Sequence, residues 1–208
     1  MKRSTRRLAF NLVEVVLAML VVGIAMLAII GMIPIGLNAN RKAVGNSYAA
    51  DSAEQMLGFY ANWLGAEWTN RASNVGVNTP LPEQPCDISG LNDYATLEAF
   101  TRATSFDGNT LYEVEDTGDN TVYNGVYRIK QVTNDGTDDQ VDFDAVIRVW
   151  KTPTTAWEYA GSGSWTPVTD TTYAKRVQVN VEVTWPAALP YHKRERAFYA
   201  LEISNPNN

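Results

Sequence analysis

Residues 1–35 read MKRSTRRLAFNLVEVVLAMLVVGIAMLAIIGMIPI, and this stretch decides how the rest of the chain is read. Four bases (Lys2, Arg3, Arg6, Arg7) precede a long apolar run, with one acid, Glu14, just inside its start. Residues 15–35 carry no charge. As an α-helix they extend about 31 Å, enough to cross a bilayer core of about 30 Å. Everything after residue 36 is polar enough to form a water-soluble head. The basic flank predicts that the amino terminus stays in the cytoplasm and that the head lies on the far side of the membrane.

Three origins for such a run compete. A cleaved secretory signal has a shorter core and a small-x-small site close behind it, and residues 36–40 (Gly36, Leu37, Asn38, Ala39, Asn40) offer none. A plain signal anchor accounts for the span but leaves Glu14 unexplained. An ionisable group at the edge of hydrocarbon costs up to about 3 kcal/mol and commonly marks function. The bland alternative for Glu14 is a hydrated carboxylate at headgroup level.

The third origin rests on Ala9-Phe10-Asn11-Leu12-Val13-Glu14-Val15. This stretch resembles the prepilin cleavage and methylation motif of type IV pilins and type II secretion pseudopilins. Its wording through Leu17 and Ala18 looks most like the minor, PilV-like class. In that family a small residue precedes the cut, Phe is the first mature residue and Glu the fifth. Ala9 stands here where the family pattern has Gly. The resemblance covers residues 1 to about 65 and implies cleavage between Ala9 and Phe10 by a prepilin peptidase, with methylation of the new amine. It also implies an assembly role for Glu14, whose carboxylate would pair with the Phe10 amine of a neighbouring subunit and relieve two buried charges at once. The chain then divides into a leader (1–9), the transmembrane half of a long helix (10–36) and an extracytoplasmic head (37–208). Pro34 lies inside the run and should loosen or kink the helix there.

The helix should continue beyond the membrane. Residues 39–67 lack proline, and Ala53, Met56, Leu57, Tyr60, Trp63 and Leu64 fall on one helical face. Residues 69–110, rich in Pro, Gly, Asn and Asp, read as a long loop with one short helix within 91–104. Period-two alternation marks strands at 141–149 and 177–185, with weaker runs at 125–133 and 196–203. In the first of these Asp142 and Asp144 read as the solvent face. The expected fold is α+β and pilin-like, with the long N-terminal helix packed on a four-stranded antiparallel sheet.

Composition narrows the function. The net charge is −6, and removal of the four leader bases takes it to −10. Such a surface does not suit phosphate backbones, so nucleic acid is not an expected partner. The single cysteine, Cys86, excludes an internal disulfide, and a buried or inert thiol is its expected state. His192 is the only histidine and has no second ligand at metal spacing. Nucleophile-elbow, P-loop and dinucleotide motifs are absent from the sequence, so no catalytic residues are assigned. Asp135, Asp138 and Asp139 are weak calcium candidates, beside Asp116 and Asp119, against the simpler reading of a solvated acidic hairpin.

The expectation is therefore a non-enzymatic minor pilin or pseudopilin of the inner membrane, built into a type IV pilus or type II secretion filament. Its implied partners are the prepilin peptidase, other pilin-like subunits, and the assembly platform with its ATPase. The alternative is a signal-anchored extracytoplasmic binding module. For that reading, Trp150, Trp157 and Trp165 among the six tryptophans would form a sugar-stacking patch, although core packing accounts for most of them.

Overall fold

The computed structural model describes residues 11–72, 81–103, 111–115, 122–134, 139–159, 161 and 163–207. The chain falls into two units, Met1–Val44 and Gly45–Asn208, and each is taken by itself.

The first unit is the amino part of helix α1 (Leu12–Ala66). Asn11 caps it: the Asn11 carbonyl accepts from the Glu14 amide at 2.9 Å, and its side-chain Oδ1 lies 3.5 Å from the Val13 amide. Helical structure runs through Pro34 without interruption, although that residue donates no backbone bond. Every large apolar side chain from Leu12 to Val44 is exposed, at 44–78%. At about 1.5–3 kcal/mol each, leaving these groups in water would cost tens of kcal/mol. That exceeds the total stability of an ordinary domain, about 5–15 kcal/mol. This is the one described helix long and apolar enough to cross a membrane, with a mean hydropathy of 2.9 over its most apolar window.

In the second unit α1 changes character. Gly45, Ala49, Ser52, Ala53, Met56, Tyr60 and Leu64 are buried along one face, with Leu57 and Trp63 packed at its margin. The apolar face read from residues 53–64 is therefore the packing face, extended one turn and more toward the amino end by small residues. At Gly45 the reason for smallness is direct: a Cβ there would sit 2.5 Å from the Trp185 indole nitrogen. A short helix α2 (Trp68–Ala72) follows, and its Trp68 indole donates to the Tyr173 carbonyl at 2.8 Å. Helix α3 (Tyr94–Phe100) is the short helix expected within 91–104. Asp93 caps it, accepting from Thr96 Oγ1 at 2.7 Å and the Ala95 amide at 3.0 Å.

The strands are β1 (Thr101–Ala103), β2 (Leu111–Glu115), β3 (Val122–Asn134), β4 (Asp139–Thr152), β5 (Thr154–Tyr159), β6 (Trp165–Asp170), β7 (Arg176–Trp185) and β8 (Glu195–Ser204). Among the described residues the main antiparallel sheet has six strands in the order β1-β2-β3-β4-β7-β8, not the expected four. The four strands read from periodicity are β3, β4, β7 and β8. The short strands β1 and β2 extend the β3 side, and β5 and β6 form a separate hairpin inserted between β4 and β7.

Both faces of the sheet are used. One packs Ile129, Phe143, Ala145, Ile147, Val149 and the Val177–Val183 ladder against α1. Inside this layer the Tyr60 and Tyr127 hydroxyls share a hydrogen bond of 2.7 Å, and burial pushes both phenols up. The opposite face carries a smaller cluster, with Val126 and Val146 meeting Ile88, Leu91, Leu97 and Ala187.

Candidate functional sites

Three places carry chemistry: the start of α1, a set of buried charges on the second face of the sheet, and the β5–β6 hairpin.

Ala9 and Phe10 lie outside the described residues. Glu14 sits in the first turn of α1, exposed, and is the one charged residue between positions 11 and 40. A carboxylate there is favoured by the positive end of the helix dipole. Below it Ala18, Val22, Gly23 and Met26 continue the same helical flank, with the small residues leaving it shallow. Sequence reading overlooked the role of Asn11. The Asn-x-x-Glu spacing of Asn11 and Glu14 is that of a helix start and was visible in the sequence.

The second place corrects an expectation. Asp142 is exposed as expected, but Asp144 is not a solvent-face residue. Its side chain is 13% exposed and holds the fully buried Arg128 guanidinium through two bonds, 2.8 Å to Nε and 2.6 Å to Nη2. Arg128 also pairs with Glu98, which in turn accepts from Lys130 at 2.9 Å. Tyr94 lies against the guanidinium at 5.1 Å. Burial opposes ionisation of Glu98, yet hydrogen bonds from Lys130 and Arg128 outweigh it and hold the carboxyl below its ordinary range.

A second buried set lies on neighbouring strands. Glu182 is fully buried and accepts from Arg148 Nε at 2.5 Å and from the Tyr191 hydroxyl at 2.9 Å. Arg148 also reaches the Tyr191 oxygen at 2.6 Å and the Cys86 carbonyl at 3.0 Å. Arg194 donates to the Leu189, Ala187 and Leu91 carbonyls, tying the 186–194 turn to the segment before α3. Each carboxylate here is bonded to a guanidinium or ammonium. The arrangement ties the 86–100 segment to the sheet through the Arg148–Cys86 and Arg128–Glu98 contacts. Cys86 fits that role: partial burial, then the nearby Asp87, pushes its thiol up, away from the reactive thiolate.

For calcium, Asp116, Asp119, Asp135 and Asp138 lie outside the described residues, and Asp139 opens β4. Among the described residues no three His, Cys, Asp or Glu groups come together as a metal site. His192 is exposed in the short turn Tyr191–Lys193.

The third place is the β5–β6 hairpin. Tyr159 pairs with Trp165 and Trp157 with Pro167, so these side chains share one face. Trp157 is 65% exposed, Tyr159 58% and Trp165 62%. Core packing accounts for Trp68 and Trp185, which are buried, and largely for the half-buried Trp150. It does not account for Trp157 and Trp165.

These features define an α+β protein with one apolar helix at its amino end and an antiparallel sheet built on that helix's carboxyl half. Comparison with protein-family models, with curated proteins and with solved structures returned no match to this chain.

Proposed function

We propose that this chain is a minor pilin or pseudopilin subunit, cut between Ala9 and Phe10 and built through its N-terminal helix into a type IV or type II secretion filament. The observation that carries the reading is the division of labour along α1. The helix starts at Leu12, two residues after the motif's cleavage point, and carries a single acid at its mouth. Its apolar flank stays bare until Val44, and its next turns pack on an antiparallel sheet. A bare flank of this length needs lipid before assembly and neighbouring helices after it. Glu14 gives those helices a charge with which to set their stagger. On this reading the protein is a substrate of the prepilin peptidase rather than an enzyme, and the head stands outside the inner membrane. Other pilin-like subunits, the platform and its ATPase are its partners.

The exposed aromatic hairpin favours a second reading, a signal-anchored binding module. N-terminal sequencing after co-expression with a prepilin peptidase separates the two. Phe10 as the first residue, with the loss of about 1 kDa for nine residues, supports the filament subunit, and Ala9→Leu should block the cut. An unprocessed wild-type chain would remove the basis for the pilin reading.

A further inference from the structure

The face of the β5–β6 hairpin that presents Trp157, Tyr159 and Trp165 is not the face that holds the hairpin in place. Its reverse side is tied down. Asp170 accepts from the Lys175 amide at 2.6 Å, the Arg176 amide at 3.3 Å and Thr172 Oγ1 at 2.9 Å. Lys175 Nζ meets Glu158 at 2.6 Å. A two-stranded sheet alone is marginal in water, and these bonds are what brace this one. Along β5, Thr154, Ala156 and Glu158 are buried or half-buried, whereas Thr155, Trp157 and Tyr159 are exposed. The large apolar groups thus point outward, contrary to folding economy, and an exposed patch of this kind marks a binding surface.

We infer that this face is a stacking platform for a neutral polysaccharide. Its six side chains are Thr155, Trp157, Tyr159, Trp165, Pro167 and Thr169, and none is charged, in a chain of net charge −6. Aromatic faces carry negative π density that attracts the C–H-lined faces of pyranose rings. Tyr159 and Trp165 lie 5.5 Å apart and tilted by 60°. Trp157 is the next same-face residue along the strand, so the face presents a third exposed ring beyond that pair. At the far end the Thr155 and Thr169 hydroxyls lie 2.7 Å apart and offer a donor and acceptor to sugar hydroxyls. Two other occupants fit less well. Deep insertion into lipid calls for an apolar tip, whereas residues 160–164 read AGSGS; Trp and Tyr do sit at membrane interfaces, so shallow lipid contact is an outcome of the test below. Apart from the Pro167 ring, this face offers a protein partner's apolar core no aliphatic side chain. The inference does not depend on cleavage at Phe10, so its failure and that of the filament reading are separate results.

The test uses the full-length protein in dodecylphosphocholine micelles, a detergent without a sugar headgroup. Co-sedimentation with insoluble cellulose, chitin and starch is measured, along with tryptophan-fluorescence titration by cellohexaose and chitohexaose. Wild type should bind at least one of these glycans. Trp157→Ala and Trp165→Ala should each weaken that binding roughly tenfold or more, with circular dichroism unchanged because both side chains are exposed. Phe198→Ala, an exposed aromatic on β8, should have no effect. Absence of binding to all five glycans, or binding unchanged in both tryptophan variants, would overturn the inference. So would quenching of the Trp157 and Trp165 emission by doxyl-labelled lipid in proteoliposomes, which would assign the hairpin to the membrane interface.

Discussion

Replacing Glu182 by Leu isolates the energetics of the buried charges. Glu182 is fully buried and the Arg148 side chain is 13% exposed, so water does little to solvate either charge. In the native head the pair satisfies itself: Arg148 binds both carboxylate and Tyr191, and Tyr191 donates to the remaining Glu182 oxygen. Glu182→Leu would leave the guanidinium with the Cys86 carbonyl and the Tyr191 oxygen but no counter-charge. Breaking a buried pair from one side costs about 3–5 kcal/mol. For a head of this size each kcal/mol moves Tm by about 2–4 °C, so the expected fall is roughly 6–20 °C. Thermal unfolding of the full-length protein in micelles, followed by near-ultraviolet circular dichroism, measures it. The companion is Glu182→Leu with Arg148→Met, which removes both charges at similar volume. That double variant should recover most of the loss, because the cost lies in the unpaired charge and not in missing attraction. A single variant that melts within about 2 °C of wild type, less than the shift for one kcal/mol, would refute the reasoning. So would a double variant less stable than the single one.

Two further outcomes follow from the geometry. Hydrogen bonds from the Lys175 amide, Thr172 and neighbouring amides overcome the burial of Asp170 and hold its carboxyl at about 2. Its folded value is depressed, so its contribution is full above the unfolded value of about 3.9 and is lost as pH falls through about 2. Asp170→Asn should cost about 1 kcal/mol at pH 7, given solvent screening, and flatten the acid limb of stability between about pH 4 and 2; an unchanged acid limb would count against the bracing role. Glu14→Ala should insert and be processed like wild type, since it makes the span more apolar, but should co-purify poorly with partner pilins at equal membrane levels. Equal recovery would leave Glu14 as an interfacial acid only.

The elements legible in the sequence are those whose periodicity and burial agree. Residues 53–64 show one apolar stripe and bury that stripe. The Val177, Val179, Val181 and Val183 ladder alternates and buries its valines fully. Reading failed where a pattern gave the element without its surroundings. Alternation at 141–149 located β4 but implied that Asp144 faced water, because nothing local shows that the 86–100 segment returns to cover that side. The cross-strand register supplies the missing signal. Arg148 lies opposite Glu182, and Arg128 lies diagonal to Asp144, so opposite charges meet once the strands are paired. The β5–β6 hairpin fails in the other direction: its aromatics alternate as a core strand would, yet the apolar side is the wet one. The strands β1 and β2 are too short, at three and five residues, for alternation to register.

The two faces of the sheet perform different tasks because they are built from different forces. Apolar burial against α1 is strong but non-directional. It holds the helix to the sheet and tolerates small shifts of one valine against another. The charged face is directional. Arg128 needs Asp144 and Glu98 together, and Arg148 needs Glu182, Tyr191 and the Cys86 carbonyl, so only one placement of the 86–100 segment satisfies them. Ile88, Leu91 and Leu97 dock this segment by burial, and the charged groups add direction to that contact. Hydrogen-bonded ions therefore specify where this segment lies, while the valine ladder supplies the stability that offsets their desolvation. The exposed apolar groups then stand apart from both tasks. The flank of α1 from Leu12 to Val44 and the Trp157–Tyr159–Trp165 face contribute little to holding the head together, which is why the proposals above give each of them a contact outside the chain.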